Sequence, residues 1–150
     1  MPSRRQRPPE SEKLIARIDR VAPTYYISRH ENRISDEAIL NIEATIERIG
    51  PRHSQHVGCL LEISLVIERT FEKDTVAGRP HLFSVNLSKK QRSILAYLPA
   101  DAFWSLPLLV GLGATHIEAR FSPIYRGSGN LESVHLASLA SILSIGWEVT

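Results

Sequence analysis

The residues best suited to chemistry fall into three groups. His53-Ser54-Gln55-His56 sets two imidazoles three positions apart, and Cys59 follows closely. Zinc takes three or four nitrogen and sulfur ligands in a tetrahedron, so His53, His56 and Cys59 form the smallest set that qualifies. Two turn histidines with no fixed partner are the simpler reading, and no metal and no cofactor is expected. The other histidines, His30, His81, His116 and His135, are scattered singly and read as strand or strand-end residues.

The second group is acidic. Glu43, Glu47 and Glu62 point to one side if the segments that carry them are strands, because side chains alternate between faces. Two carboxylates held close can divide acid and base roles, as in many hydrolases, and Glu43 with Glu62 is the candidate pair. The plainer reading is a charged face turned to water. The third group is basic: Lys89, Lys90 and Arg92 crowd one hairpin tip, and Arg4, Arg5 and Arg7 lie in the first dozen residues. Such clusters gain by displacing phosphate counterions, but lysines at a hairpin tip also discourage edge pairing. Gly127-Ser128-Gly129-Asn130 has the glycines of a phosphate cradle without the P-loop spacing or its lysine, so a flexible turn is expected. No nucleophile elbow singles out a serine for a Ser-His-Asp triad.

These residues need a scaffold, and the scaffold is the clearest message of the chain. Leu40, Ile42, Ala44 and Ile46 alternate with polar residues, and Leu61, Ile63, Leu65 and Ile67 do so again beyond Gly50-Pro51. This predicts an antiparallel hairpin with one apolar and one acidic, polar face. Ile39, Ile42, Ile46 and Ile49 also fit a helical stripe, but the strict alternation favours a strand over 35–49. Parity allows two registers that keep the apolar residues inside, one with Glu43 opposite Glu62 and one with Thr45 opposite Glu62. Directly opposed like charges disfavour the first, so Thr45 is expected to face Glu62.

A second hairpin is predicted with Phe83, Val85 and Leu87 on one arm and Ile94, Ala96 and Leu98 on the other. A third joins His116–Phe121 to Leu131–Leu136 through a glycine-rich turn. Thr24–Ser28 reads as a first strand. Ser11 caps an expected short helix with Leu14, Ile15, Ile18 and Val21 on one stripe, stopped by Pro23. Asp101 caps another over 101–112, with Phe103 and Trp104 covering the sheet, and Trp147–Val149 reads as a last short strand.

Length and composition bound the rest. The 150 residues suit one core, with residues 1–12 as a flexible, basic, proline-rich tail and 13–150 as a single β-rich domain. A 43% apolar and 23% charged composition is that of an ordinary globular protein, and a net charge of +2 supplies no global field for nucleic acid or membrane. The single cysteine, Cys59, excludes an internal disulfide and suits a reducing cytoplasm. No signal-peptide core follows the first arginines, and the run Leu106–Leu112 is far shorter than the roughly 20 residues a spanning helix needs.

The expected architecture is mainly β: an antiparallel sandwich or curved sheet of about six or seven strands with one or two short helices. The function class favoured is a non-enzymatic protein-interaction module, self-associating through strand edges and hairpin tips, because a well-specified scaffold stands beside no catalytic motif. A nucleic-acid binder using the arginine tail and the Lys89–Arg92 tip is the first alternative. A hydrolase using Glu43 and Glu62 is the second, and the reading leans away from an enzyme.

Overall fold

A computed structural model of the chain describes residues 11–70, 82–98, 111 and 113–144. The described strands are β1 (Glu12–His30), β2 (Arg33–Ile49), β3 (Leu60–Thr70), β4 (Leu82–Leu87), β5 (Arg92–Tyr97), β6 (His116–Phe121) and β7 (Ser128–Ala137). They close into one barrel in the order β1-β2-β3-β5-β4-β7-β6, with β6 returning to β1. Every neighbouring pair is antiparallel except β3 and β5, which run parallel from Glu62 beside Ser93 to Val66 beside Tyr97. Two short helices complete the described chain, a 3-10 turn (Pro51–His56) and α1 (Leu139–Ser144).

Closure corrects the expectation of a sandwich or open curved sheet. A sheet with one apolar face needs a second layer only while its edges stay apart. Here Glu12–Arg17 of β1 pair with His116–Phe121 of β6, so the sheet covers its own apolar face. Leu14, Ala16, Leu40, Ile42, Ala44, Ile46, Leu61, Ile63, Leu65, Val85, Ile94, Ile117, Ala119 and Phe121 fill the inside. Each fully buried leucine or isoleucine contributes about 1.5–3 kcal/mol, so the lumen is a packed core and not a channel. No helix among the described residues is long and apolar enough to cross a membrane.

The expected helix at 11–21 is a strand instead. Leu14 and Ala16 alternate into the core, and Ile18 packs against it, in strand order. Ile15 points to the outer face and is nonetheless fully buried, outside the inner cluster. Apolar residues on both faces hide a two-residue period and imitate a helical stripe. Pro23 does not stop β1, because beyond Ile18 the strand pairs with β2 alone among the described residues, and an edge tolerates a missing N–H.

The strand over 35–49 and the second and third hairpins stand as predicted, with Val85 opposite Ile94 and Ile117 opposite Leu136. The register of the first hairpin does not: Glu43 faces Glu62, and Thr45 faces Leu60. The connection decides it. The 3-10 turn packs back on the barrel with His53 and His56 buried. Gly58, at φ +83, then returns the chain so that its N–H reaches Ile46 O at 2.7 Å, while Ile46 N–H reaches Cys59 O at 3.0 Å. The like charges meet in water, where their repulsion is small. Both carboxylates are exposed, and Arg20 stands opposite Glu43 at 4.0 Å.

α1 starts at a serine cap, with Ser138 Oγ accepting Ser141 N–H at 3.2 Å, and lies against β6 and β7 with Ile142 fully buried. The expected helix over 101–112 falls outside the described residues apart from Gly111, as do residues 1–10 of the expected 1–12 tail, His81 and the Trp147–Val149 strand, while Glu12 of that tail opens β1 opposite Phe121.

Candidate functional surfaces at the two ends of the barrel

Strand directions bring the start of β1, the 3-10 turn, the β4–β5 tip and the β6–β7 tip to one end, the base of the barrel. The 3-10 turn carries two histidines that the sequence suggested as turn residues without fixed partners, and each has one. His53 Nε2 lies 2.9 Å from Glu12 Oε2, while Arg52 approaches the other oxygen of Glu12 at 3.4 Å. His56 Nδ1 accepts the Nε–H of Arg92 at 2.8 Å. Arginine has no acceptor, so that Nδ1 bears no proton and the ring is neutral. Burial first, and then the positive charges of Arg92 and His53, hold the His56 pKa below its ordinary value. Cys59 Sγ turns to Gln55 O at 3.8 Å. Among the described residues no group of three or more His, Cys, Asp or Glu is placed to hold a metal ion.

Two tight turns stand beside this plug. Ser88–Gln91 is closed by Ser88 N–H to Gln91 O at 2.8 Å and by Gln91 N–H to Ser88 Oγ at 3.0 Å, which leaves Lys89 and Lys90 exposed at the tip. Tyr125–Ser128 is closed in both directions, at 2.8 and 3.1 Å, across Arg126 at φ 52 and Gly127 at φ 81. A side chain in the left-handed region costs roughly 1–2 kcal/mol, so the fold holds Arg126 there against a local penalty. Leu87 N–H donates to Gly127 O at 2.8 Å and joins the two turns. Tyr125 is 72% exposed, and the Arg126 guanidinium lies 5.3 Å from the centre of its ring.

A second polar chain braces the wall where β6 begins. His116 is bound at both nitrogens, Nδ1 to Thr115 Oγ1 at 2.7 Å and Nε2 to Glu47 Oε1 at 2.6 Å. Arg17 lies 3.8 Å from the other oxygen of Glu47 and 3.0 Å from Asp19. Hydrogen bonds from Thr45 and Arg17 hold the Asp19 carboxyl below its usual pKa. Hydroxyl, imidazole and carboxylate in this order can share protons, and here they tie β6 to β1 and β2.

The far end is the outer half of the first hairpin. From Asp19 to His30, β1 pairs only with β2 among the described residues. Its core-facing positions continue past Val21, which packs on the core, to Pro23, Tyr25 and Ile27, with Ile34 on the same face of β2. Tyr25 reaches Asp36 Oδ2 through its hydroxyl at 3.1 Å. Tyr26 and Ile27 are 63% and 57% exposed.

The structure thus separates the candidates differently from the sequence. Glu43 and Glu62 oppose each other on the outer wall in open solvent. His53 and His56 are spent on structure. Lys89 and Lys90 present their charges outward, whereas Arg92 folds back onto His56. The Tyr125–Arg126 pair and the His116–Glu47 bond were not foreseen; a turn signal marked the first as a loop, and nothing local marked the second. The described fold defines a small, filled β-barrel with a plugged base and a projecting hairpin. No protein-family model, curated protein or solved structure matches the chain.

Proposed function

We propose that the chain is a non-enzymatic interaction module that self-associates through the outer half of β1, a second copy adding its own β1 antiparallel to the first. The supporting observation is the edge itself. Strand edges left open to other chains are normally guarded by charge, bulges or cover. Val21-Ala22-Pro23-Thr24-Tyr25-Tyr26-Ile27-Ser28 contains no charged residue and, among the described residues, bonds to β2 on one side only. Among the described residues Pro23 is the guard along it. Tyr26 and Ile27 give the added strand side chains to pack on, one on each face, and Ile27 extends the apolar face of the core.

Sedimentation equilibrium over a wide concentration range tests the reading. A dimer that Tyr26→Lys with Ile27→Lys converts to a folded monomer supports it. A wild-type monomer at every concentration, or a dimer indifferent to those changes, refutes it.

A further inference from the structure

We infer that the base of the barrel is a docking surface for single-stranded nucleic acid, formed by the paired Ser88–Gln91 and Tyr125–Ser128 turns. Such strands are held where cations follow a phosphate chain beside exposed aromatic rings on which bases stack. Both parts are present, and they are fixed together. Lys89 and Lys90 stand exposed on one closed turn. Tyr125, 72% exposed, stands on the other with Arg126 against its ring. The Leu87 N–H to Gly127 O bond locks the turns side by side, and a Cβ on Gly127 would already lie 3.6 Å from Ser88 Cβ.

The exposed lysines at this end favour an anion. Glu12 is already engaged by Arg52 and His53, while Glu132, bound by the Ser11 hydroxyl, keeps its charge. Arg92 leans on a neutral imidazole and has no carboxylate partner among the described residues. An acidic protein would use the lysines equally well but has no need of an exposed aromatic ring braced by a guanidinium. A duplex hides its base faces. Unstacked bases use every part of the surface.

This inference is independent of self-association, and its test is run in the Tyr26→Lys, Ile27→Lys background as well as in the wild type to keep the two apart. Fluorescence anisotropy with a labelled oligothymidylate, its duplex form, and polyglutamate as competitor supplies the readout. The single strand is expected to bind in preference to the duplex, with affinity falling as salt rises. Lys89→Gln with Lys90→Gln should reduce the log–log salt slope by about 1.4, as for two lost phosphate contacts on a single strand. Tyr125→Ala should weaken binding by roughly 5- to 150-fold, the range for one stacked base, while Tyr125→Phe should bind as the parent does. Circular dichroism confirms that each variant is folded. No binding at low salt overturns the inference. So does binding that Tyr125→Ala leaves unchanged and polyglutamate displaces, which assigns the surface to an acidic partner instead.

Discussion

His56 takes the Nε–H of Arg92 on its Nδ1 at 2.8 Å, a bond that only a neutral imidazole can make. It joins the plug to the first residue of β5 and makes the base of the barrel sensitive to acid. The folded state holds the His56 pKa below its ordinary 6.5, by burial first and then by the charges of Arg92 and His53. The unfolded chain therefore binds the proton more readily, so this contribution is full above about 6.5, falls as the pH drops below it, and is gone once the pH passes the lowered folded value. Thermal melts between neutral and mildly acid pH should show Tm falling, and His56→Gln, which keeps an acceptor without titrating, should flatten the decline. An unchanged slope in His56→Gln would remove His56 from the account.

Glu43 opposite Glu62 places like charges in direct cross-strand register. Glu62→Lys should stabilise the protein by up to about 1 kcal/mol, the range for replacing a repulsive pair with an attractive one. Urea denaturation measures it, and the gain should shrink at high salt because both side chains are exposed. A loss of stability would show that Glu62 has a favourable partner of its own.

Ile15 faces away from the lumen and is fully buried. Ile15→Ala should cost about 2–5 kcal/mol, as much as a truncation inside the barrel. A cost below about 1 kcal/mol, the range of surface changes, would mean that burial at this outward position contributes little.

Gly129 has no room for a side chain: an added Cβ would lie 2.7 Å from Ser122 O and 2.9 Å from Ile124 Cδ1. Gly129→Ala should destabilise the protein by about 1–3 kcal/mol through overpacking. It should also loosen the neighbouring Tyr125–Ser128 turn, read as faster amide exchange at Ser128. A neutral substitution would show that the Ser122–Ile124 segment moves aside freely.

Where one face of a segment is apolar and the other polar, the chain announces its structure, and β2 through β7 were legible for that reason. The second half of β1 was legible as well, as the Thr24–Ser28 strand, but its first half was not, because Ile15 makes the outer face apolar too and the alternation disappears. The register of the first hairpin was misread because cross-strand charge was weighed and the connection was not. The turn folds inward on His53 and His56, whose partners Glu12 and Arg92 lie far away in sequence. The same distance concealed the His116–Glu47 bond. Lys89 and Lys90 were legible as a basic tip. Their proximity to Tyr125 was not, since it depends on β4 pairing with β7 across a long stretch of chain. Local pattern reports which residues are strand. Side-by-side placement of strands comes from closure, and the candidate surfaces depend on closure.

The seam between β1 and β6 also sets a timetable. Residue 12 cannot find its partner until residue 121 has been made, so during synthesis the first hairpin exists for most of the chain's emergence with its apolar face open. Pairing across so long a separation is entropically slow to nucleate, and open strands are prone to stick to one another meanwhile. The first hairpin is thus made well before the β6 and β7 strands that complete the barrel over it, which makes that interval the stage at which a folding helper has most to protect.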